Sequence, residues 1–250
     1  MKRGLAVSLF VAGALSACGG GGGGGGSTPP PATSAEGLWT GTINNGRSVA
    51  GFVLDDGTAW VLYSLVGNSA VIAGAIQGNG TSQNGSFTSS NGKDFNLEGF
   101  GINNVTVSAS YLAKQSFNGS VTYTATSGVV TFVTSYDSNY ELTPSLASVA
   151  GTYSGSAATT GGTEAATVTI STSGALSGLS AGGCAFSGSA TPRAHGNVFN
   201  VSVTFAGGVC ANGTNTVTGV AHFDATTKLL RSAALNSART NGFIYVGTKP

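Results

Sequence analysis

The sequence predicts an all-β, antiparallel protein built from two small eight-stranded units in tandem, each a barrel-like body or a sandwich. Three observations lead there. Apolar and polar residues alternate with period two over most of the chain after residue 36, turn dipeptides punctuate that alternation, and one six-residue motif returns 114 residues after its first appearance.

The alternation is rich in Val, Thr, Phe and Tyr. In the first half it covers 47–54 (RSVAGFVL), 59–65 (AWVLYSL), 105–112 (VTVSASYL), 120–126 (SVTYTAT) and 129–136 (VVTFVTSY). In the second half it covers 166–171 (ATVTIS), 198–205 (VFNVSVTF), 217–223 (VTGVAHF) and 243–246 (FIYV). Period two puts alternate side chains on opposite faces, so each segment reads as a strand with one wet and one buried face. Asn-Gly follows at Asn45, Asn79, Asn84, Asn91, Asn118, Asn212 and Asn241, and Asp56-Gly57 adds one more. These residues tolerate the positive φ of two-residue hairpins, so a dense meander is expected, although not every such pair need be a hairpin. No amphipathic helical pattern stands out after residue 36. The segment 144–150 (PSLASVA) reads at most as a short helical turn.

The repeated motif is Gly37-Leu38-Trp39-Thr40-Gly41-Thr42, then Gly151-Thr152-Tyr153-Ser154-Gly155-Ser156. Both read Gly-x-aromatic-hydroxyl-Gly-hydroxyl, and each opens a block of roughly 100 residues with about eight strand patterns. The blocks divide at Pro144 into an N-terminal β domain, 37–143, and a C-terminal β domain, 144–250. Eight short antiparallel strands suit a small closed barrel or a sandwich, and closure removes the exposed edges that invite aggregation. The opening Gly-x-Trp resembles the first strand of lipocalin-like barrels, in which the ring plugs one end.

The amino end has a different character. Lys2 and Arg3 precede GLAVSLFVAGA, eleven small or apolar residues. That is a signal-peptide core, short of the about 20 residues a spanning helix needs. Leu15-Ser16-Ala17-Cys18 resembles the lipobox of bacterial lipoproteins. The resemblance implies that 1–17 is a removed signal peptide and that Cys18 becomes the first mature residue, carrying three acyl chains. Two or more chains hold a protein firmly to a bilayer. Gly19 stands where an Asp would favour the inner membrane in enteric-type bacteria, so the expected location is the outer membrane, on its periplasmic face or at the cell surface. Residues 18–36, with eight consecutive glycines followed by Ser-Thr-Pro-Pro-Pro, form a tether with an extended reach near ~60 Å. The glycine run is no phosphate-cradling loop, since no strand precedes it and no Lys-Ser/Thr with a helix follows.

Charged residues make up 8% of the chain, and without Lys2 and Arg3 eight basic residues face nine acidic ones. A chain with no basic patch is a poor partner for nucleic acid. With Cys18 taken by lipid, Cys184 and Cys210 remain, and in an exported protein they most simply form one disulfide. A metal would need more ligands, and His195 and His222, although near in sequence, fit no standard zinc spacing. No cofactor and no metal site are expected.

The lipobox, the tether and a C-terminal pattern together are similar to those of a set of proteobacterial outer-membrane lipoproteins. That pattern comprises LASVAGTYSG at 146–155, TVTISTSGALSG at 167–178, GCAFSG at 183–188, Cys210 and TGVA at 218–221. The resemblance implies surface or periplasmic localisation and carries over no functional residue beyond Cys18. Surface lipoproteins of the transferrin-binding type are a more distant comparison, with no closely matching motif.

The remaining candidates each have a plain structural reading. Gly178-Leu179-Ser180-Ala181-Gly182 fits the nucleophile elbow Gly-x-Ser-x-Gly, which would make Ser180 the nucleophile of an envelope hydrolase. Its flanks, however, read as strand and loop, and no His follows Asp224, the one acid after Ser180. Asp55-Asp56 reads as a hairpin turn capped by its own carboxylates, and Asp94 and Glu98 read as residues near a further turn. His195 falls in an exposed loop and His222 in a strand. Tyr136, Tyr140 and Tyr153 cluster around the junction, either as a contact between the blocks or as core. The expected function is therefore a non-enzymatic binding or structural module of the envelope, anchored to the membrane through its N-terminal lipid. Its partner would be a small apolar ligand in a barrel mouth or an envelope or host protein on the loops. A hydrolase using Ser180, or a surface adhesin, is the alternative; a membrane-embedded barrel is disfavoured by the lipobox, the tether and the non-aromatic end.

Overall fold

The computed structural model describes residues 34–250. The signal segment, Cys18 and the tether up to residue 33 lie outside the described residues.

The first half folds as β1 (Gly37–Ile43), β2 (Ser48–Val53), β3 (Thr58–Leu65), β4 (Asn68–Asn79), β5 (Thr81–Gln83), β6 (Ser86–Asn96), β7 (Gly101–Leu112), β8 (Ser116–Tyr123) and β9 (Val129–Asp137). The strand order is β4-β3-β2-β1-β9-β8-β7-β6-β5, and β4 also pairs with β6. That pairing closes a ring of eight antiparallel strands, with the three-residue β5 as a side branch on β6. The second half folds as β10 (Gly151–Thr159), β11 (Gly162–Ile170), β12 (Ala175–Ser180), β13 (Ala185–Pro192), β14 (Phe199–Phe205), β15 (Thr216–Asp224), β16 (Leu229–Leu235) and β17 (Gly242–Thr248). These run up and down in sequence order, and β10 pairs with β17 to close the second barrel. Two closed eight-stranded antiparallel barrels in tandem are thus what the chain forms, and the sandwich alternative is set aside. Between them lie a 3-10 turn, Ser138–Glu141, and a one-turn helix α1, Leu146–Val149, whose N-cap Ser145 accepts from the Ser148 N–H.

The repeated motif occupies the same place in both barrels. Gly37 and Gly151 open the first strand of each. Trp39 and Tyr153 are buried, and each donates to a carbonyl four residues back: Trp39 Nε1 to Ala35 O at 2.9 Å and Tyr153 Oη to Val149 O at 2.5 Å. Gly41 and Gly155 sit where the neighbouring strand crosses closely. A Cβ built on either would lie 2.0 Å from a backbone oxygen, that of Val133 or of Val246. The motif is therefore a barrel-opening device with a bulky plug and a glycine that lets the last strand of each barrel approach.

Several Asn-Gly pairs do form turns, as at Asn84-Gly85, where φ is 50° and 78°. Asn118-Gly119 instead lies inside β8, where a Cβ on Gly119 would meet Ser108 O at 2.2 Å. Asn91-Gly92 marks a β-bulge, with the β6–β7 register shifting between Ser89 and Gly92. Glycine serves close approach and bulging in strands as well as positive φ in turns.

The two interiors differ. The second barrel is filled with rings, including Phe186, Phe205 and Phe243, whose centroids lie 5.0–5.8 Å apart, and Tyr245 stacks on Phe243. Cys184 and Cys210 form a disulfide against this core. The first barrel is hollow. The barrels also share an outer apolar face: Phe52, Trp60 and Leu62 of the first pack with Val220, Ala233 and Ile244 of the second. The strands at this junction are buried on both sides, which corrects the expectation of one wet face per strand. Polar contacts rim the junction. Arg193 Nη2 reaches Asp55 Oδ1 at 2.5 Å and Asp56 Oδ2 at 3.3 Å, and Arg239 Nη2 donates to Gln77 O at 2.6 Å.

Candidate functional site

The hollow of the first barrel has a volume of about 370 Å³, within the range of small-molecule sites. Its floor is aromatic. Trp39 stacks on Phe117 at 5.5 Å and meets Tyr136 edge-on at 5.3 Å, and Phe87 contacts Phe117 at 5.4 Å. Val53, Val61, Ile76, Val107 and Val121 supply apolar wall.

Above the wall lies a polar shelf. Asp94, only 1% exposed, accepts from Tyr63 Oη at 2.7 Å through Oδ1 and from Tyr123 Oη at 2.8 Å through Oδ2. Asn96 Nδ2 donates to Tyr63 Oη at 3.2 Å. At the mouth, Arg47 Nη2 pairs with Glu98 Oε2 at 2.8 Å, while Arg47 Nη1 donates to Ser64 O at 2.9 Å and the guanidinium lies 5.6 Å from the Tyr63 ring centroid. Burial raises the Asp94 pKa, outweighing the Tyr63 and Tyr123 hydrogen bonds and the Arg47 charge that favour the carboxylate. Burial, and then the Asp94 charge, push Tyr63 and Tyr123 well above the usual phenol range, so both hydroxyls remain donors at any physiological pH. The turns at this end also carry exposed Phe100 and Val66.

The shelf depends on the bulge in β6. Phe87 and Ser89 line the cavity, and strict alternation from them would turn Asp94 outward. The shift between Ser89 and Gly92 instead brings Gly92, Asp94 and Asn96 to the lumen. Asp94 is therefore no turn residue, which corrects the sequence expectation. Glu98 does lie in the turn after β6, but as the partner of Arg47. Sequence reasoning missed Arg47, Tyr63 and Tyr123 as a group; each stands in a separate strand or turn, and no local spacing links them.

The other candidates fall elsewhere. Asp55 and Asp56 form the expected turn, with Asp56 Oδ1 accepting from Thr58 N at 2.9 Å, and they also meet Arg193 of the second barrel. Ser180 lies inside the second barrel at the β12–β13 turn, where its Oγ accepts from Cys184 N at 3.1 Å. His222 points from β15 into the junction against Phe52, on the opposite face of the wall from Ser180, and His195 sits in the exposed loop after β13. The elbow is thus a hairpin end, and the structure brings neither histidine to Ser180. Of the tyrosines, Tyr153 is core, Tyr136 packs beside Trp39, and Tyr140 lies in the junction with its hydroxyl donating to Glu36 Oε1 at 3.0 Å. Cys18 lies outside the described residues. Among the described residues, no cluster of three or more His, Cys, Asp or Glu side chains is arranged to hold a metal.

Neither a protein-family model nor a curated protein sequence matches the chain. Solved structures do. A "putative outer membrane protein" of Bacteroides fragilis NCTC 9343 is 16% identical, with 86% of this chain and 96% of that chain covered and a TM-score of 0.26. A transferrin-binding protein B variant from Haemophilus parasuis is 13% identical, with 82% and 51% covered and a TM-score of 0.29. Intact Ap-TbpB, with its N and C lobes, is 11% identical, with 81% and 52% covered and a TM-score of 0.29. The chain matches about half the length of these two transferrin-binding proteins.

Proposed function

We propose that this chain is a lipid-anchored protein of the bacterial outer membrane that works by binding, and that its first barrel holds a small, largely apolar molecule. The cavity carries this reading. The two barrels open with the same motif, yet one interior is filled by rings and the other keeps about 370 Å³ between an aromatic floor and a polar mouth. Pre-formed hollows of this size, apolar with a few placed polar groups, suit ligand capture. The Ser180 hydroxyl is engaged in a turn inside the other barrel, and the histidines lie apart from it, so hydrolysis through that serine has no structural support.

The anchor rests on the lipobox and Cys18. Intact-mass analysis of native protein tests it: acylation at Cys18 with residues 1–17 removed is expected, and an unmodified Cys18 overturns it. Native mass spectrometry of protein purified from its host tests the cavity. A bound small molecule lost on Val61→Trp is expected, and protein that is repeatedly empty overturns the carrier reading.

A further inference from the structure

Three charged side chains line the cavity: Arg47, Asp94 and Glu98. Two carboxylates thus face one guanidinium. Arg47 gives Nη2 to Glu98 and Nη1 to the Ser64 carbonyl, so its charge is already matched by Glu98 and Asp94 is left as the carboxylate without a cation of its own. Asp94 takes one hydroxyl on each oxygen. A carboxylate has about four lone-pair sites, so Asp94, which lines the cavity, keeps acceptor capacity beyond the two hydroxyls. Tyr63 and Tyr123 already donate to Asp94, so the shelf offers a ligand acceptors more than donors. An anion brought to this shelf would meet two like charges, whereas an ammonium would supply donors and complete the charge balance.

Resting on the reading of the first barrel as a binder, we infer that its ligand is a cationic amphiphile. The apolar body lies between the Val walls and the Trp39 floor, and an amine sits at Asp94 and Glu98 beneath the mouth. The apolar Phe100 and Val66 on the surrounding turns suit the passage of such a body from water into the barrel.

Three probes with one chain and different heads test this: decylamine, decanol and decanoate. Each is titrated at pH 7 into the full-length chain carrying Cys18→Ser, which removes the need for detergent, and binding is read by calorimetry and tryptophan fluorescence. Decylamine is expected to bind at least about tenfold more tightly than decanoate, with decanol between them. Asp94→Asn and Glu98→Gln are each expected to bring the amine down to the affinity of the alcohol. Glu98→Gln also frees Arg47, so it should strengthen decanoate binding, an effect that loss of packing would not produce. It lies at the mouth and keeps the test open if Asp94→Asn does not fold. Equal binding of the three probes, tightest binding of decanoate, or an amine preference that survives both substitutions overturns the charge assignment while the cavity stands as a binding site. No binding of any probe overturns the cavity reading and this inference together.

Discussion

Phe52 of the first barrel and His222 of the second meet across the junction with ring centroids 5.4 Å apart. His222 is 4% exposed, and its Nε2 is buried without a hydrogen-bond partner. Burial, and then the Arg231 charge, lower its pKa from 6.5 to about 4, against the opposing pull of Asp224 and Asp137. The folded chain therefore keeps the ring neutral where the unfolded chain protonates it. This contribution to stability is complete above pH 6.5, declines as the pH falls toward 4, and levels off below that. The total is about 3 kcal/mol. Urea unfolding at pH 7 and pH 4.5 reads the effect by comparison with His222→Leu. The substitution should remove this part of the acid loss, and an unchanged pH profile would count against a neutral buried ring.

Arg193 ties the junction from its rim. Its side chain is 15% exposed, and although burial acts against its charge, Asp55 and Asp56 raise its pKa overall. Asp55 and Asp56 are more open to water, which screens the pair. Arg193→Gln should lower stability by about 1 kcal/mol. The same change in a chain already carrying Asp55→Asn and Asp56→Asn should cost clearly less. Equal costs in the two backgrounds would show that the carboxylates do not couple to Arg193.

The glycines of the repeated motif should be intolerant in both barrels. Gly41→Ala and Gly155→Ala each place a methyl 2.0 Å from a backbone oxygen of the last strand of its barrel. A strand cannot yield as a side-chain end can, so each should cost about 3 kcal/mol, seen as a large fall in the unfolding midpoint. Gly46 is the control: its φ is +83° and a Cβ there meets nothing within 4 Å. Gly46→Asn should stay near neutral, because Asn adopts that conformation readily.

The disulfide closes a loop with a sequence separation of 26. The chain-entropy model assigns such a loop roughly 3.5 kcal/mol, and real bridges often deliver less. Cys184→Ala with Cys210→Ala should lower stability by about 2–4 kcal/mol. The second barrel should be affected locally: hydrogen exchange should accelerate around β12 to β15 and leave β6 to β8 as they were. Uniform acceleration across both barrels would instead mean that they unfold as one unit.

A strand with one face to water can be read directly from its alternation. VVTFVTSY at 129–136 corresponds to β9, Val129–Asp137, almost residue for residue. Two strands without a readable alternation, β4 and β16, have other demands on them. β4 (NSAVIAGAIQGN) turns Ile76 and Gly78 to the lumen and packs Ala75 against the other barrel, so small and apolar residues occupy both faces and no alternation survives. In β16 (LLRSAAL), Ala234 faces its own core while Ala233 and Leu235 face the junction. The partner surface that explains these patterns lies in the other half of the chain, and no local window contains it. The polar shelf was hidden for a related reason. One bulge residue decides whether Asp94 faces in or out, and its tyrosines come from β3 and β8.

The plugged floor has one further consequence. The chain enters β1 at Gly37, beside Trp39, whereas the mouth is framed by the turns at 44–47 and 97–100, a strand's length away, roughly 20 Å. A molecule entering at the opening and a pull on the residues ahead of β1 would therefore act at opposite poles of the barrel.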